Sequence, residues 1–276
     1  MPEHILPLPP RWERDLDYGW VVFKSGNDDI RGYFAKPKQA RRLPAQNLPA
    51  IVMLHENLGV IEHRQDVTRR LAKAGFVALT VDLYSRIDGQ SPRDFKTPTE
   101  RRIKATLANP DEQGVADSEA ACRFLESMDE VDADRIGAVG YCSGGGTLYS
   151  WVCGNATNIK AAVAFYGTVV TGAEGRADGK PLDRADKAHL LQCPIQIHHG
   201  DADRSVNVSE SHRMVAALRK SGQPVEAYVY SGADHAYHDD THPQHHIEAS
   251  AQSWSRTLEF LNRYLNAPPV AKRAAG

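Results

Sequence analysis

The stretch AVGYCSGGGTL, residues 138–148, sets a thiol beside a hydroxyl in a run of glycines. Either Cys142 or Ser143 could act as a nucleophile toward a carbonyl. A nucleophile on a sharp strand-to-helix turn needs small residues two places before and after it, because the turn is strained and a Cβ there collides with the backbone. In the Cys142 frame those places hold Gly140 and Gly144. In the Ser143 frame they hold Tyr141 and Gly145, and the tyrosine argues against the serine. The apolar run IGAVGY delivers Cys142 to the turn, and the following helix would present its N-terminus to a thiolate. The plain alternative is a glycine-rich turn packed around a buried, inert thiol.

A nucleophile of this kind needs a base, and the base needs an acid to orient it. In open α/β sheets both come from loops at the carboxyl ends of later strands, in the order nucleophile, acid, histidine. After PIQIHHG the chain reads DADRSV, which offers Asp201 and Asp203. Asp203 is favoured, since it lies beyond the strand end where its side chain can swing back. After VEAYVYSG comes ADHAY, and His235 is the candidate base. Each residue alone is weak evidence. Three in order, at three strand ends, are stronger.

The elements that must position these groups follow from hydrophobic periodicity. Residues 19–26 and 30–37 alternate as a hairpin parted by Asn27, Asp28 and Asp29. Residues 50–56, 76–84, 135–142, 159–167, 194–201 and 225–232 are short apolar runs typical of buried strands. Helical stretches fall at 63–75, 98–108, 112–128, 144–153, 208–221 and 250–265. This alternation predicts an α/β fold: a mostly parallel central sheet with an antiparallel N-terminal edge and helices on both faces. One domain over 19–266 is expected, after an arm at 1–18 and before a frayed tail at 267–276. Residues 39–47 read as a polar loop. Loops 86–98 and 168–190 are expected to shape any pocket.

The chain has 276 residues, 41% hydrophobic and 25% charged, with a formal net charge of −2. Such a chain can bury a core without disulfides, and no basic field is present to gather nucleic acid or an anionic membrane. Cys122, Cys142, Cys153 and Cys193 show no zinc-finger spacing. No basic region followed by an apolar run opens the chain, and no apolar stretch reaches the length of a membrane span. The expectation is a cytoplasmic protein, monomeric or a small homo-oligomer, acting on a small molecule without cofactor, metal, nucleic acid or membrane.

Five segments, HENLGV (55–60), VDLYSR (81–86), GYCSGG (140–145), GDADRSV (200–206) and GADHAY (232–237), resemble the dienelactone hydrolase family, a cysteine branch of the α/β-hydrolase fold. The likeness runs from about residue 20 to 265. It implies that Cys142 attacks an ester carbonyl, that His235 shuttles the proton and that Asp203 orients it. Backbone N–H groups of Asn57 and Ser143 would form the oxyanion hole. Glu56 would be the glutamate beside the thiol, and Arg86 the arginine that binds a substrate carboxylate. An Arg86–Glu56 attraction would tune the cysteine. The sequence also departs from the family's best-known branch, where a serine follows the histidine and an arginine lies a few residues on. Ala236 and Asp239 stand in those places, which removes part of the anion clamp and favours a broader esterase or lactonase over a dienelactone specialist.

Thiolate is a good leaving group, so an acyl transfer through Cys142 suits activated esters and lactones better than amides. Two other readings stay open: a general carboxylesterase or thioesterase, and a non-catalytic thiol sensor or binding protein on the same fold. The histidines of HAYHDDTHPQHH (235–246) lack the spacing of a metal site and read as a solvated loop. His198 and His199 end a strand, one of them at least as a structural histidine. Tyr84, Tyr141 and Tyr166 could line the pocket or pack at the sheet edge. Arg64, Arg69 and Arg70 read as a solvated helix face, and Cys122, Cys153 and Cys193 as packing residues.

Overall fold

The computed structural model describes residues 11–38, 47–87, 96–154 and 158–266. The loop at 39–47 (apart from Asn47), most of the 86–98 loop, the first part of the N-terminal arm and the 267–276 tail lie outside the described residues.

Two long strands, β1 (Leu16–Ser25) and β2 (Asp28–Pro37), form the antiparallel edge. Gly26, at φ +59°, occupies the first central position of their two-residue turn, where a side chain would be strained. The strands are therefore longer than their alternation predicted, and β1 starts inside the stretch read as an arm. The remaining strands of the main sheet are β3 (Leu48–Leu54), β4 (Val77–Val81), β5 (Val131–Tyr141), β6 (Ile159–Phe165), β9 (Ile195–Gly200) and β10 (Val225–Tyr230). A two-residue pair, β7 (Val170–Thr171) and β8 (Leu182–Asp183), breaks up the stretch expected to be irregular.

The eight strands lie in the order β1-β2-β4-β3-β5-β6-β9-β10. All pairs from β4 to β10 are parallel. The chain winds from β3 outward to β4 and then returns to β5 on β3's other side. Loops leaving the carboxyl ends of β3 and β5 therefore diverge and open a crevice between them.

Strands β3, β4, β6 and β9 are buried on both faces, which is why they read as continuous apolar runs. Ile51, Met53, Ala78 and Val139 face helices α1 (Glu62–Lys73) and α6 (Ile247–Leu265), which contribute Val67, Leu71, Phe260 and Leu261. Val52, Leu54, Leu79 and Ala138 face the opposite layer of α3 (Asp111–Glu126), α4 (Ser143–Val152) and α5 (Val208–Leu218), with Leu125, Leu148 and Met214. Each such fully buried Leu, Ile or Phe contributes about 1.5–3 kcal/mol. Helix α2 (Pro98–Ala108) stands over the carboxyl end of the sheet, opened by Thr97, whose hydroxyl accepts the Glu100 N–H at 3.1 Å. No helix among the described residues is long and apolar enough to cross a membrane.

Candidate active site

Cys142 is the turn between β5 and α4. Its backbone is at φ 53° and ψ −115°, a conformation that costs a non-glycine residue energy. The turn is locked by close backbone approach. A Cβ on Gly140 would stand 2.6 Å from the Gly144 carbonyl oxygen, and one on Gly144 would stand 2.5 Å from the carbonyl oxygens of Leu54 and His55. Glycine at these two positions lets the start of α4 press against the end of β3. The Cys142 carbonyl accepts N–H bonds from Gly146 and Thr168, each at 3.0 Å. Ser143 is the first residue of α4, where a backbone N–H has no acceptor within the helix.

The sulfur faces His235, with Sγ 3.1 Å from Nε2. The other ring nitrogen, Nδ1, lies 2.9 Å from Asp203 Oδ2. Asp203 is itself fixed by the N–H groups of Ser205 and Val206, which both donate to Oδ1 at 2.8 Å. Burial opposes its charge, but hydrogen bonds from His199 and His235 hold the carboxyl well below the usual range. Burial also opposes a charged His235, yet the Cys142 sulfur and the Asp203 carboxylate push it up to about 10. Asp201 is exposed and caps the Gly232 N–H at 2.7 Å instead, far from the imidazole's needs.

Glu56 and Asn57 follow β3 on the crevice's other wall. Their loop is tied to the next strand end by His55. Its Nε2 accepts the Leu83 N–H at 3.0 Å, so Nδ1 carries the proton and donates to the Glu56 carbonyl at 2.5 Å. Burial depresses the His55 pKa, which keeps this neutral tautomer. The Glu56 carboxylate accepts from Arg64 Nε at 2.6 Å, while its Oε1 is buried with no protein partner.

Arg64 corrects the sequence reading. It is 1% exposed, not solvated, and its guanidinium carbon lies 3.5 Å from the centroid of the Tyr141 ring. Burial disfavours its charge, but Glu56 more than compensates and keeps it protonated. The signal was present in the helical phase. Arg64 falls three residues before Val67 and seven before Leu71, on the buried stripe of α1. Arg69 is buried too, bound to Glu62 at 2.7 Å and to the Tyr33 hydroxyl at 3.0 Å.

Arg86 is the opposite correction. Its guanidinium donates to both oxygens of the fully buried Asp117, at 2.7 and 3.1 Å, and to Asp28 at 2.5 Å. It does not line the cavity over Cys142, and Glu56 pairs with Arg64 in its stead. Tyr141 also lies off the cavity, stacked on Phe165 at 4.7 Å behind the turn. Tyr84 and Tyr166 do line it. Tyr166 is held at φ 38°, its ring 4.9 Å from that of His235 and its buried hydroxyl without a protein partner.

The loop after His235 is less solvated than expected. His238 and Asp239 are buried. Helix α1 holds this loop through His63 Nδ1, 2.8 Å from Asp240 Oδ1, and through Arg70, 2.6 Å from Asp240 Oδ2. His63, Asp239 and Asp240 converge within 4.8 Å, but the Thr241 hydroxyl and N–H already bond Asp239. Cys122, Cys153 and Cys193 are buried, and burial raises all three thiols, the last two to about 12.

A family model described as dienelactone hydrolase matches residues 30–265. The chain is 32% identical over 227 residues to a Methylorubrum extorquens protein named "Putative carboxymethylenebutenolidase", covering 81% of this chain and 76% of that one. It is 30% identical to a Bradyrhizobium protein named "Probable 2-oxo-3-(5-oxofuran-2-ylidene)propanoate lactonase", covering 89% and 94%. Among solved structures, a "Putative Dienelactone Hydrolase" from Klebsiella pneumoniae superposes with a TM-score of 0.79 at 29% identity, covering 90% of this chain and 99% of that one.

Proposed function

This chain belongs to the dienelactone hydrolase family, and on that footing we propose that it hydrolyses lactones and esters through an acyl-cysteine formed on Cys142. The observation that carries the reading is the continuous chain from Sγ to Nε2 at 3.1 Å and from Nδ1 to Oδ2 at 2.9 Å. A sensor thiol needs a cation nearby, not an imidazole oriented on its far side by a second, buried carboxylate.

The steps follow from the atoms present. The Cys142 sulfur adds to the ester carbonyl as the proton rests on His235 Nε2. The developing oxyanion sits by the N–H groups of Ser143 and Asn57. Collapse of the adduct breaks the acyl–oxygen bond, and His235 gives its proton to the departing alkoxide. Water then attacks the thioester with His235 as base. Its proton passes through the imidazole to the sulfur, and the carboxylic acid leaves. Asp203 orients the ring and balances the imidazolium throughout. Glu56 tunes the nucleophile from the cavity wall, with Arg64 holding one of its oxygens and leaving the other uncommitted.

The test is turnover of p-nitrophenyl acetate and of simple lactones by wild type and Cys142→Ala, with iodoacetamide titration of the thiol in parallel. Wild-type turnover that falls by at least about 10³-fold in the variant is expected. Stoichiometric alkylation of Cys142 with no ester or lactone turnover sinks the reading.

A further inference from the structure

The cavity over Cys142 encloses about 860 Å³. Among the described residues on its wall stand six arginines and seven carboxylates, and five of the six arginines already reach a carboxylate. Arg64 is held by Glu56. Arg176 reaches both Glu112 and Asp178 at 3.1 Å. Arg184 is 2.7 Å from Asp111, and Arg102 lies 3.9 Å from Glu174. Arg204 donates through Nε to Asp234 at 2.7 Å. Arg101 is engaged as well. Arg86 is turned away onto Asp117 and Asp28. Half-buried Glu210, by contrast, lines the cavity with no ion-pair partner among the described residues.

A carboxylate entering this space competes with the carboxylates that already hold these arginines, or sheds water beside carboxylates that repel it. A neutral acyl chain does neither. We propose that the pocket takes neutral esters and lactones and selects against substrates that carry a carboxylate on the acyl chain. This rests on the hydrolase reading above and narrows its substrate class.

Two isosteric pairs test it. The first is p-nitrophenyl valerate against p-nitrophenyl hydrogen glutarate, which exchange a terminal methyl for a carboxylate at equal chain length. The neutral ester is expected to have the higher kcat/KM by about tenfold. The second pair is N-phenylchloroacetamide against 4-(chloroacetamido)benzoate, read as the alkylation rate of Cys142 and normalised to the same ratio with glutathione. The neutral reagent is expected to keep a similar advantage. Equal or faster reaction of the anionic member overturns the proposal. The alkylation pair decides charge selection even where no ester turns over, in which case the hydrolase reading falls separately.

Discussion

Replacing Arg64 with methionine isolates what the buried ion pair near Cys142 contributes. The side chain is 1% exposed, its Nε is 2.6 Å from Glu56 Oε2, and it stacks on Tyr141. Removing one member of a buried pair costs about 3–5 kcal/mol, most of it from the charge left without a partner. Here Arg64 Nη1 and Glu56 Oε1 lack protein partners, so the pair is incompletely hydrogen-bonded. That places the expected loss near the lower end, about 3 kcal/mol. In the double variant Arg64→Met, Glu56→Gln no charge is stranded, and the loss should shrink to about 1 kcal/mol. Urea unfolding of the four proteins of the cycle, at unchanged slope, measures the coupling. A loss below about 1 kcal/mol for Arg64→Met, or single losses that add within about 0.5 kcal/mol, refutes the reasoning.

Arg86→Ala should leave the neutral-to-anionic ester ratio within about twofold, because the side chain points off the cavity, while stability drops by about 2 kcal/mol as buried Asp117 loses its partner; a ratio that shifts tenfold would restore Arg86 to the substrate. The folded Asp203 carboxyl lies below its ordinary value of 3.8, so its stabilisation is present above that pH and lost as pH falls below it. The stability gap between wild type and Asp203→Asn should therefore narrow by at least about 1 kcal/mol between pH 5 and pH 2.5 (both about) in acid unfolding, and a constant gap would contradict the assignment. Gly144→Ala places a Cβ 2.5 Å from two backbone oxygens, so a loss of several degrees in melting temperature is expected, and a value within about 1 °C of wild type would refute the close approach as the reason for glycine there.

Much of this architecture was legible because its cause is local. The strands declared themselves as apolar runs since both faces are covered, and Gly140 and Gly144 selected Cys142 over Ser143 since the turn admits no Cβ there. Asp203 and His235 emerged from chain order, and the structure brings Asp203 within hydrogen-bond reach of His235 and His235 within reach of the thiol. What was not legible was the pairing of arginines. Arg86 and Arg64 have the same chemistry, and which one meets Glu56 depends on side-chain direction across three elements. Arg86 is drawn off by Asp117, 31 residues away on α3, and no pattern within VDLYSR announces that partner. Arg64 is readable in principle from its place on the stripe of Val67 and Leu71, against the general tendency of a charged side chain on a helix to face solvent.

The fit of α4 against the end of β3, sealed by Gly144 and by the His55 bridge, makes the rear of the crevice a single stiff body. The front is built separately, from α2 and the turn around Gly175, which lies against Thr106 rather than against the Cys142 turn. On the proposed hydrolase reading, reactivity and appetite are thus separable traits of this chain. Changes in α2 or in residues 171–178 can reshape what is admitted while the distance from sulfur to imidazole stays put. A search for variants with new substrates is best aimed at those two segments.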